Sequence, residues 1–299
     1  MVSKQQKRAA IRQLLIPIFL IIAAVLYRPV TGLFTEKSTD SIQTTTSDGR
    51  ELVVSYLDVG QGDATLVSKG DFHMLIDAGN NQKGSKVVAD LKERGVDKLD
   101  ILVGTHPDSD HIGGLDDVLQ NIPVDTVYMP AETKETKTYQ DVVTALKKVG
   151  KRAEMPEIGR EYTFDSNVLV RFLSPSEEHK DSNDNSIVLQ IAYGKNRFLF
   201  MGDAEESIEE ELLQKGYDLE CDVLKLGHHG SYTATSPAFL KKADPAYGII
   251  SCGRNNSYGH PHAEVLSRLE DEDVQVYRTD SIGTITAKSD GENVTISTK

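Results

Sequence analysis

The stretch THPDSDHIGG, residues 105–114, places His106, Asp108, Asp110 and His111 within six consecutive positions. Imidazole nitrogen and carboxylate oxygen are suitable ligands for zinc, manganese or iron. The cluster follows the apolar run LDILVGT, where four titratable groups cannot be buried unless something pairs them. Extended alternation at 106, 108 and 110 would send three side chains one way and His111 another. That layout can serve two cations. Gly113 and Gly114 would let the backbone turn tightly beneath it. The competing reading has the aspartates capping the helix GLDDVLQNI and the histidines lying on a polar loop. The density of ligand types favours metal.

Such a cluster needs rigid supports. From residue 51, ELVVSYLDV, ATLVSK and FHMLIDAG are short β-type runs separated by Gly/Asp turns, the pattern of an antiparallel start. SKVVADLKERG reads as a helix, with apolar positions 87, 88 and 91 and Gly95 as its stop. LDILVGT reads as a buried strand that delivers His106. Further helices are expected in TYQDVVTALKKVG, ESIEEELLQKG, SPAFLKKAD and HAEVLSRLEDED. Strands are expected in NVLVRFLS, SIVLQIAYG, NRFLFMGD, DVLKLG and AYGIISCG, with a closing hairpin around Asp290-Gly291. Strands, then alternation, then a repeat of that order predict an α/β (α+β) fold: an αββα sandwich of two mixed sheets flanked by helices.

The chain has 33 basic and 46 acidic residues, a formal −13. Residues 1–28 hold Lys4, Lys7, Arg8, Arg12 and Arg28 and no acid, which leaves 28 basic against 46 acidic residues, −18, in the rest. Such a body is repelled by long polyanions unless metal ions or a local basic patch intervene. The uncharged run Gln13–Tyr27 reads as a membrane segment, with residues 1–34 an anchor or a signal. No A-x-A pattern follows it, which favours an uncleaved anchor, and the preceding Lys/Arg place the body outside the cytoplasm. Residues 35–50, polar and Thr/Ser-rich, read as a linker, and 51–299 as the folded domain that carries the cluster.

Eight stretches occur in order between about residues 52 and 287: YLDVGQGDATLV, LIDAG, THPDSDHIGGL, NDNSIVLQI, FLFMGDAEE, VLKLGHHGS, NSYGHPH and YRTDSIGTI. The opening cluster resembles the H-x-H-x-D-H signature of the metallo-β-lactamase superfamily, with Asp108 where the second histidine usually stands. Taken together, the stretches resemble the extracytoplasmic hydrolase domain of the ComEC family of DNA-uptake proteins. The many-helix membrane channel of that family has no counterpart in the resemblance, which therefore implies the hydrolase half only.

The resemblance implies His106 and Asp108 as ligands of a first metal ion, Asp110 and His111 of a second, and Asp203 as the bridge between them. An N-cap for the following helix is the alternative for Asp203. One of His228 and His229 would complete the second ion, His229 slightly favoured. The superfamily usually supplies one more histidine to the first ion. Here that region offers His179, in a charged loop and read as solvated, and Asn185, which precedes a strand and can reach the site or its substrate. Two divalent ions (Zn²⁺ or Mn²⁺) are expected, with the carboxylates tilting preference toward Mn²⁺.

Such a pair would lower the pKa of a bridging water and bind the anionic oxygens of a phosphodiester. Asp110, Asp203 and His260 are the catalytic candidates, His260 contacting a phosphate or protonating the leaving oxygen. Asp58 and Asp77 either orient ligands or form turns, and His262 begins the next helix. No lysine follows the glycines of DVGQGDA or DAGNN, so no nucleotide cofactor is expected. The expected activity is that of a membrane-tethered, extracytoplasmic, metal-dependent phosphodiesterase or nuclease linked to DNA uptake. The alternatives are hydrolysis of another ester, such as a phosphocholine ester or lactone, and a non-catalytic binding or assembly partner stabilised by metal. The intact cluster argues against the last, and the −18 body keeps small diesters competitive with long DNA as substrates.

The two cysteines are Cys221 and Cys252. Cys221 opens one strand and Cys252 closes the next, and the helix between them makes those strands parallel. Opposite strand ends lie roughly 17–20 Å apart, against a disulfide limit of about 7 Å between Cα atoms. Two free, buried thiols are predicted.

Overall fold

The computed structural model describes residues 51–164 and 167–298. The anchor and linker expected over residues 1–50 lie outside the described residues. Among those described, no helix is long and apolar enough to cross a membrane.

The chain opens as an antiparallel meander, β1 (Leu52–Tyr56), β2 (Thr65–Lys69) and β3 (Phe72–Ile76). Helix α1 (Gly84–Glu93) crosses back to β4 (Leu99–Val103), which pairs parallel with β3. The short turn α2 (Ser109–Ile112) and helix α3 (Leu115–Asn121) lead to β5 (Val124–Tyr128). Helix α4 (Lys137–Lys148) then leads to β6 (Ala153–Glu154). A second sheet begins with β7 (Glu161–Phe164), β8 (Val168–Ser174), β9 (Val188–Tyr193) and β10 (Asn196–Phe200), all antiparallel.

The second sheet continues in parallel through α5 (Glu206–Gln214), β11 (Val223–Lys225), α6 (Pro237–Ala243), β12 (Tyr247–Ile250), α7 (Ala263–Asp271) and β13 (Gln275–Arg278). After the turn α8 (Thr279–Ile282), strands β14 (Ile285–Ser289) and β15 (Val294–Thr298) return to the first sheet beside β1. The sheet orders are β15-β14-β1-β2-β3-β4-β5-β6 and β13-β12-β11-β10-β9-β8-β7.

Period-two alternation divides each strand between two apolar layers. Val67, Met74 and Ile101 face Val170, Ile191 and Phe198 across the sandwich. Their neighbours Leu66, Leu75 and Leu102 turn outward onto Leu91 of α1, Val118 of α3 and Leu146 of α4. Leu199 and Leu224 likewise pack on Leu212 of α5, Phe239 of α6 and Leu269 of α7. This is the predicted αββα sandwich of two mixed sheets. Each central strand is fixed by three layers, so its C-terminal end is a rigid platform. Truncating one such buried Leu to Ala costs about 2–5 kcal/mol.

The predicted strands and helices all form. Strands β5, β6, β7 and β13 were not assigned from pattern. β5 and β13 form because the edges of β4 and β12 offer unpaired backbone groups. Cys221 precedes β11 and Cys252 follows β12, two parallel neighbours; both are buried and neither is in a disulfide, as predicted.

Candidate metal centre

The site lies where the C-terminal ends of β3, β4, β10, β11 and β12 meet, so both sheets contribute. His111 and His229 are buried, with Nε2 atoms 3.3 Å apart. Around them, Asp203 Oδ1 lies 3.1 Å from His111 Nε2 and Asp203 Oδ2 lies 3.4 Å from His229 Nε2. Asp110 Oδ2 is 3.3 Å from the same His229 nitrogen. Ligand atoms of Asp63, His111, Asp203 and His229 all lie within 4.8 Å of one another.

Each imidazole is braced from behind. His111 Nδ1 lies 2.8 Å from Asp77 Oδ2, and His229 Nδ1 lies 2.9 Å from the Ser251 carbonyl. An Nδ1–H donated to each acceptor leaves both Nε2 atoms as lone pairs aimed at one point. Asp77 is fixed in turn by the Thr105 backbone N–H (2.8 Å) and hydroxyl (2.7 Å), which donate to its two oxygens. Two lone pairs and two carboxylates facing each other in a buried site repel strongly unless a cation or protons lie among them.

The titration behaviour agrees. Burial opposes the charged form of His229, but Asp203, Asp63 and Asp110 overcome it and lift the group to about 10. Burial is likewise outweighed at His111 by Asp203 and Asp77, which raise it well above the ordinary value. Against their own burial, these imidazoles hold Asp203 and Asp110 low. Without metal, the cluster is neutralised by protons.

His106 takes a different position. Buried, with Nδ1 near the Thr105 and Ser186 hydroxyls (3.2 and 3.3 Å), it points Nε2 to within 4.0 Å of Asp203 Oδ2. Burial and the neighbouring His111 push it down to about 4, so it is neutral. His106 Nε2 has no hydrogen-bond partner among the described residues. An orphaned buried nitrogen beside an oxygen-and-nitrogen donor set fits a divalent cation.

Several predicted residues are placed otherwise. Asp108 turns away from the cluster and accepts hydrogen bonds from Lys134 and Ser182. The cause is local: residues 109–112 are helical, so the assumed alternation through 110 does not exist and Asp108 ends the extended segment. Asn185 is committed to its own loop. Its Oδ1 accepts from His179 N, and its Nδ2 donates to Glu132 and to the His179 carbonyl. His228 sits at the rim, with Nδ1 2.9 Å from Glu205 and Nε2 3.9 Å from Asp203. His260 packs edge-on against His228, ring centroids 5.4 Å apart, and its buried Nδ1 has no partner among the described residues. His179 pairs with Glu211 outside the cluster, and His262 caps α7.

Asp203 is no helix cap, since Glu205 holds that position before α5. Asp58 only closes its own turn, accepting from Gly60 N, whereas Asp77 both occupies a left-handed turn at φ 58° and orients His111. Gly113 and Gly114 are needed for close approach: a Cβ on Gly113 would lie 2.3 Å from the Asn81 nitrogen, and one on Gly114 2.4 Å from the Ala78 carbonyl oxygen.

Sequence reasoning missed Asp63 and Lys225. Lys225 is buried at the end of β11, where it donates to the Leu226 carbonyl and pairs with Asp63 Oδ2 at 2.7 Å. Asp63 Oδ1 lies 3.3 Å from His229 Nδ1. Burial raises Asp63, yet Lys225 and His229 hold it near about 2. The signal was a lysine inside the apolar run DVLKLG. A cavity of about 720 Å³, lined by Lys83, Lys86 and Arg254 among others, includes none of the cluster's residues.

Residues 57–254 match the family model described as the metallo-beta-lactamase superfamily. ComE operon protein 3 of Bacillus subtilis is 32% identical over 258 residues, a match covering 78% of this chain and 32% of that protein. Competence protein ComA of Neisseria gonorrhoeae is 34% identical over 238 residues, covering 79% and 32%. The chain spans about a third of the length of these curated relatives. Among solved structures, the metallo-beta-lactamase fold protein YhfI of Bacillus subtilis superposes with a TM-score of 0.51 at 15% identity, covering 80% of this chain and all of that one. CmlA, a diiron β-hydroxylase of Streptomyces venezuelae, gives 0.51 at 14% identity, covering 76% and 52%. These two likenesses are of fold. The sandwich, the strand-end cluster and the family match together place this chain in the metallo-β-lactamase superfamily.

Proposed function

We propose that the chain is a two-metal phosphodiester hydrolase, acting outside the cytoplasm and tethered by its N-terminal apolar segment, in the service of DNA uptake. The observation that carries the hydrolytic reading is the convergence of His111 Nε2, His229 Nε2, Asp203 and Asp110 on one buried point. The names of the competence-protein relatives support the setting.

When bound, divalent ions supply an activated water and stabilise charge on a phosphoryl group. His111, His229, Asp110 and Asp203 would hold one ion, and His106 with Asp203 the start of a second position. Asp77 and the Ser251 carbonyl keep the ligand nitrogens aimed. Thr105 and Ser186 steady the His106 ring. Burial and the charges of His229 and His228 push His260 down to about 4, so at neutral pH its role is an N–H donor to a phosphoryl oxygen. Proton donation to the leaving group is the weaker of its two predicted roles.

The test uses the full chain. Elemental analysis should find about two Mn²⁺ or Zn²⁺ per chain, and added metal should drive hydrolysis of bis-p-nitrophenyl phosphate or single-stranded DNA. No metal uptake, or turnover of a lactone alone, would overturn the reading. Protease added to intact cells should reach the body; cleavage only after lysis would refute the location.

A further inference from the structure

Among the described residues, the large apolar side chains left exposed are Val149, Met155, Tyr232 and Tyr258, and the two tyrosines are the most exposed, at 59% and 63%. Scattered exposed apolar groups are ordinary. These two are not scattered. Tyr258 stacks on His260, centroids 5.6 Å apart and planes 22° apart. His260 meets His262 at 4.9 Å, and His262 meets Tyr232 at 5.1 Å. His260 also contacts His228, whose Nε2 is 3.9 Å from Asp203. A continuous run of rings therefore leads from the metal cluster to solvent and ends in two tyrosine faces.

The run is held rigidly. Asn256 Oδ1 accepts from the Tyr258 and His260 backbone N–H groups (3.1 and 3.0 Å). Its Nδ2 donates to the Gly253 and His260 carbonyls (2.9 and 2.6 Å). On the other side, Tyr232 N donates to His262 Nδ1 at 3.1 Å. Gly230 and Pro261 are in such close contact that a Cβ on Gly230 would lie 2.7 Å from the proline ring. Backbone bonds on both sides fix rings whose outer faces touch no core. Rings pre-positioned in water lose little entropy when a flat ligand lands on them.

We propose that Tyr258 and Tyr232 form a stacking platform for unpaired nucleobases beside the metal centre, so that the substrate is single-stranded nucleic acid and not a small diester lacking bases. The assignment deepens the phosphodiesterase reading and rests on it for the identity of the cleaved bond. Stacking on an aromatic face is tolerant of base identity and adds to phosphate binding. It also supplies affinity that an acidic body cannot draw from charge. A quaternary ammonium headgroup, the other ligand with affinity for aromatic faces, is favoured by a cage of converging rings. Here Tyr258 stacks nearly parallel on His260, planes 22° apart, and is itself 63% exposed.

The experiment measures fluorescence anisotropy of a labelled single-stranded hexanucleotide and of an abasic hexamer with the same phosphates. EDTA is present, so hydrolysis consumes neither probe. The wild-type full chain should bind the base-bearing strand at least about tenfold more tightly than the abasic one. Tyr258→Ala combined with Tyr232→Ala should abolish that advantage, whereas Tyr258→Phe and Tyr258→Trp should retain it. Equal binding of the two strands by the wild type overturns the platform. So does a Tyr258→Phe loss as large as that of Tyr258→Ala, or displacement of the strand by phosphocholine at matched concentration. Metal-driven hydrolysis of bis-p-nitrophenyl phosphate is scored separately. Its presence with no base preference sinks the platform alone, and its absence with a preserved base preference sinks the hydrolytic reading alone.

Discussion

The two halves of the proposed metal centre are built differently. Around His111 and His229, both ligand nitrogens are backed by an acceptor, the two imidazoles and Asp203 are buried with Asp110 at the edge, and both sheets contribute. Around His106 and Asp108, one candidate ligand is buried and aimed while the other is engaged by Lys134 and Ser182. The first half is preorganised before any cation arrives. The second is assembled only if Asp108 leaves its lysine. Burial and bracing, more than residue type, separate a ready site from a conditional one.

The sharpest test removes the carboxylate both halves share. Asp203→Ala should lower metal-dependent hydrolysis by about three orders of magnitude or more, with metal content falling together with activity while the circular dichroism spectrum is kept. If activity survived, the halves would not share a bridge. Next, Asp77→Asn should weaken binding of the tighter metal equivalent by about 10–100-fold, read by competition with a chelator. No change would mean that bracing is not what makes that half ready.

Acidification should act chiefly on the same half. Without metal, His229 sits at about 10 against an ordinary 6.5. Folding energy from its imidazolium is therefore fully present below about 6.5 and lost as pH rises through about 10. Metal must displace that proton, so affinity should rise with pH across this window, with proton release on uptake in weakly buffered solution. A flat profile would show that the histidines are neutral before metal binds.

A smaller effect should come from the conditional half. Lys134→Ala frees Asp108 and should tighten the weaker metal equivalent by about two- to tenfold, as read by titration calorimetry. Weakening instead would make Lys134 part of the site. The smallest effect belongs to His179→Ala, less than about twofold in activity, because its ring lies beside Glu211, at 3.5 Å, away from both halves.

What could be read in advance followed from local order. Period-two and helical patterning identified most elements because each strand and helix buries its own face. The run 105–114 announced His106, Asp110 and His111 because dense ligand types at a strand end have few other uses. Asp108 was misplaced because the four-residue turn Ser109–Ile112 is too short to leave a periodic signature. β6, with two residues, was missed for the same reason.

The sequence by itself determined the layered fold, the parallel pairing that keeps Cys221 and Cys252 apart, and the inventory of candidate ligands. Only tertiary structure decided which members of that inventory meet. Asp63 lies 166 positions from His229 and reads as one aspartate in a glycine turn. It reaches the cluster because β1–β2 and β11 end on the same rim, where Lys225 neutralises it. His228 and His229 are adjacent and chemically identical. Their left-handed backbone, φ 45° and 53°, swings one ring to the rim and the other inward. Periodicity reports which side of its own element a residue faces; the partner a buried charge finds is set by what the rest of the chain brings to that place.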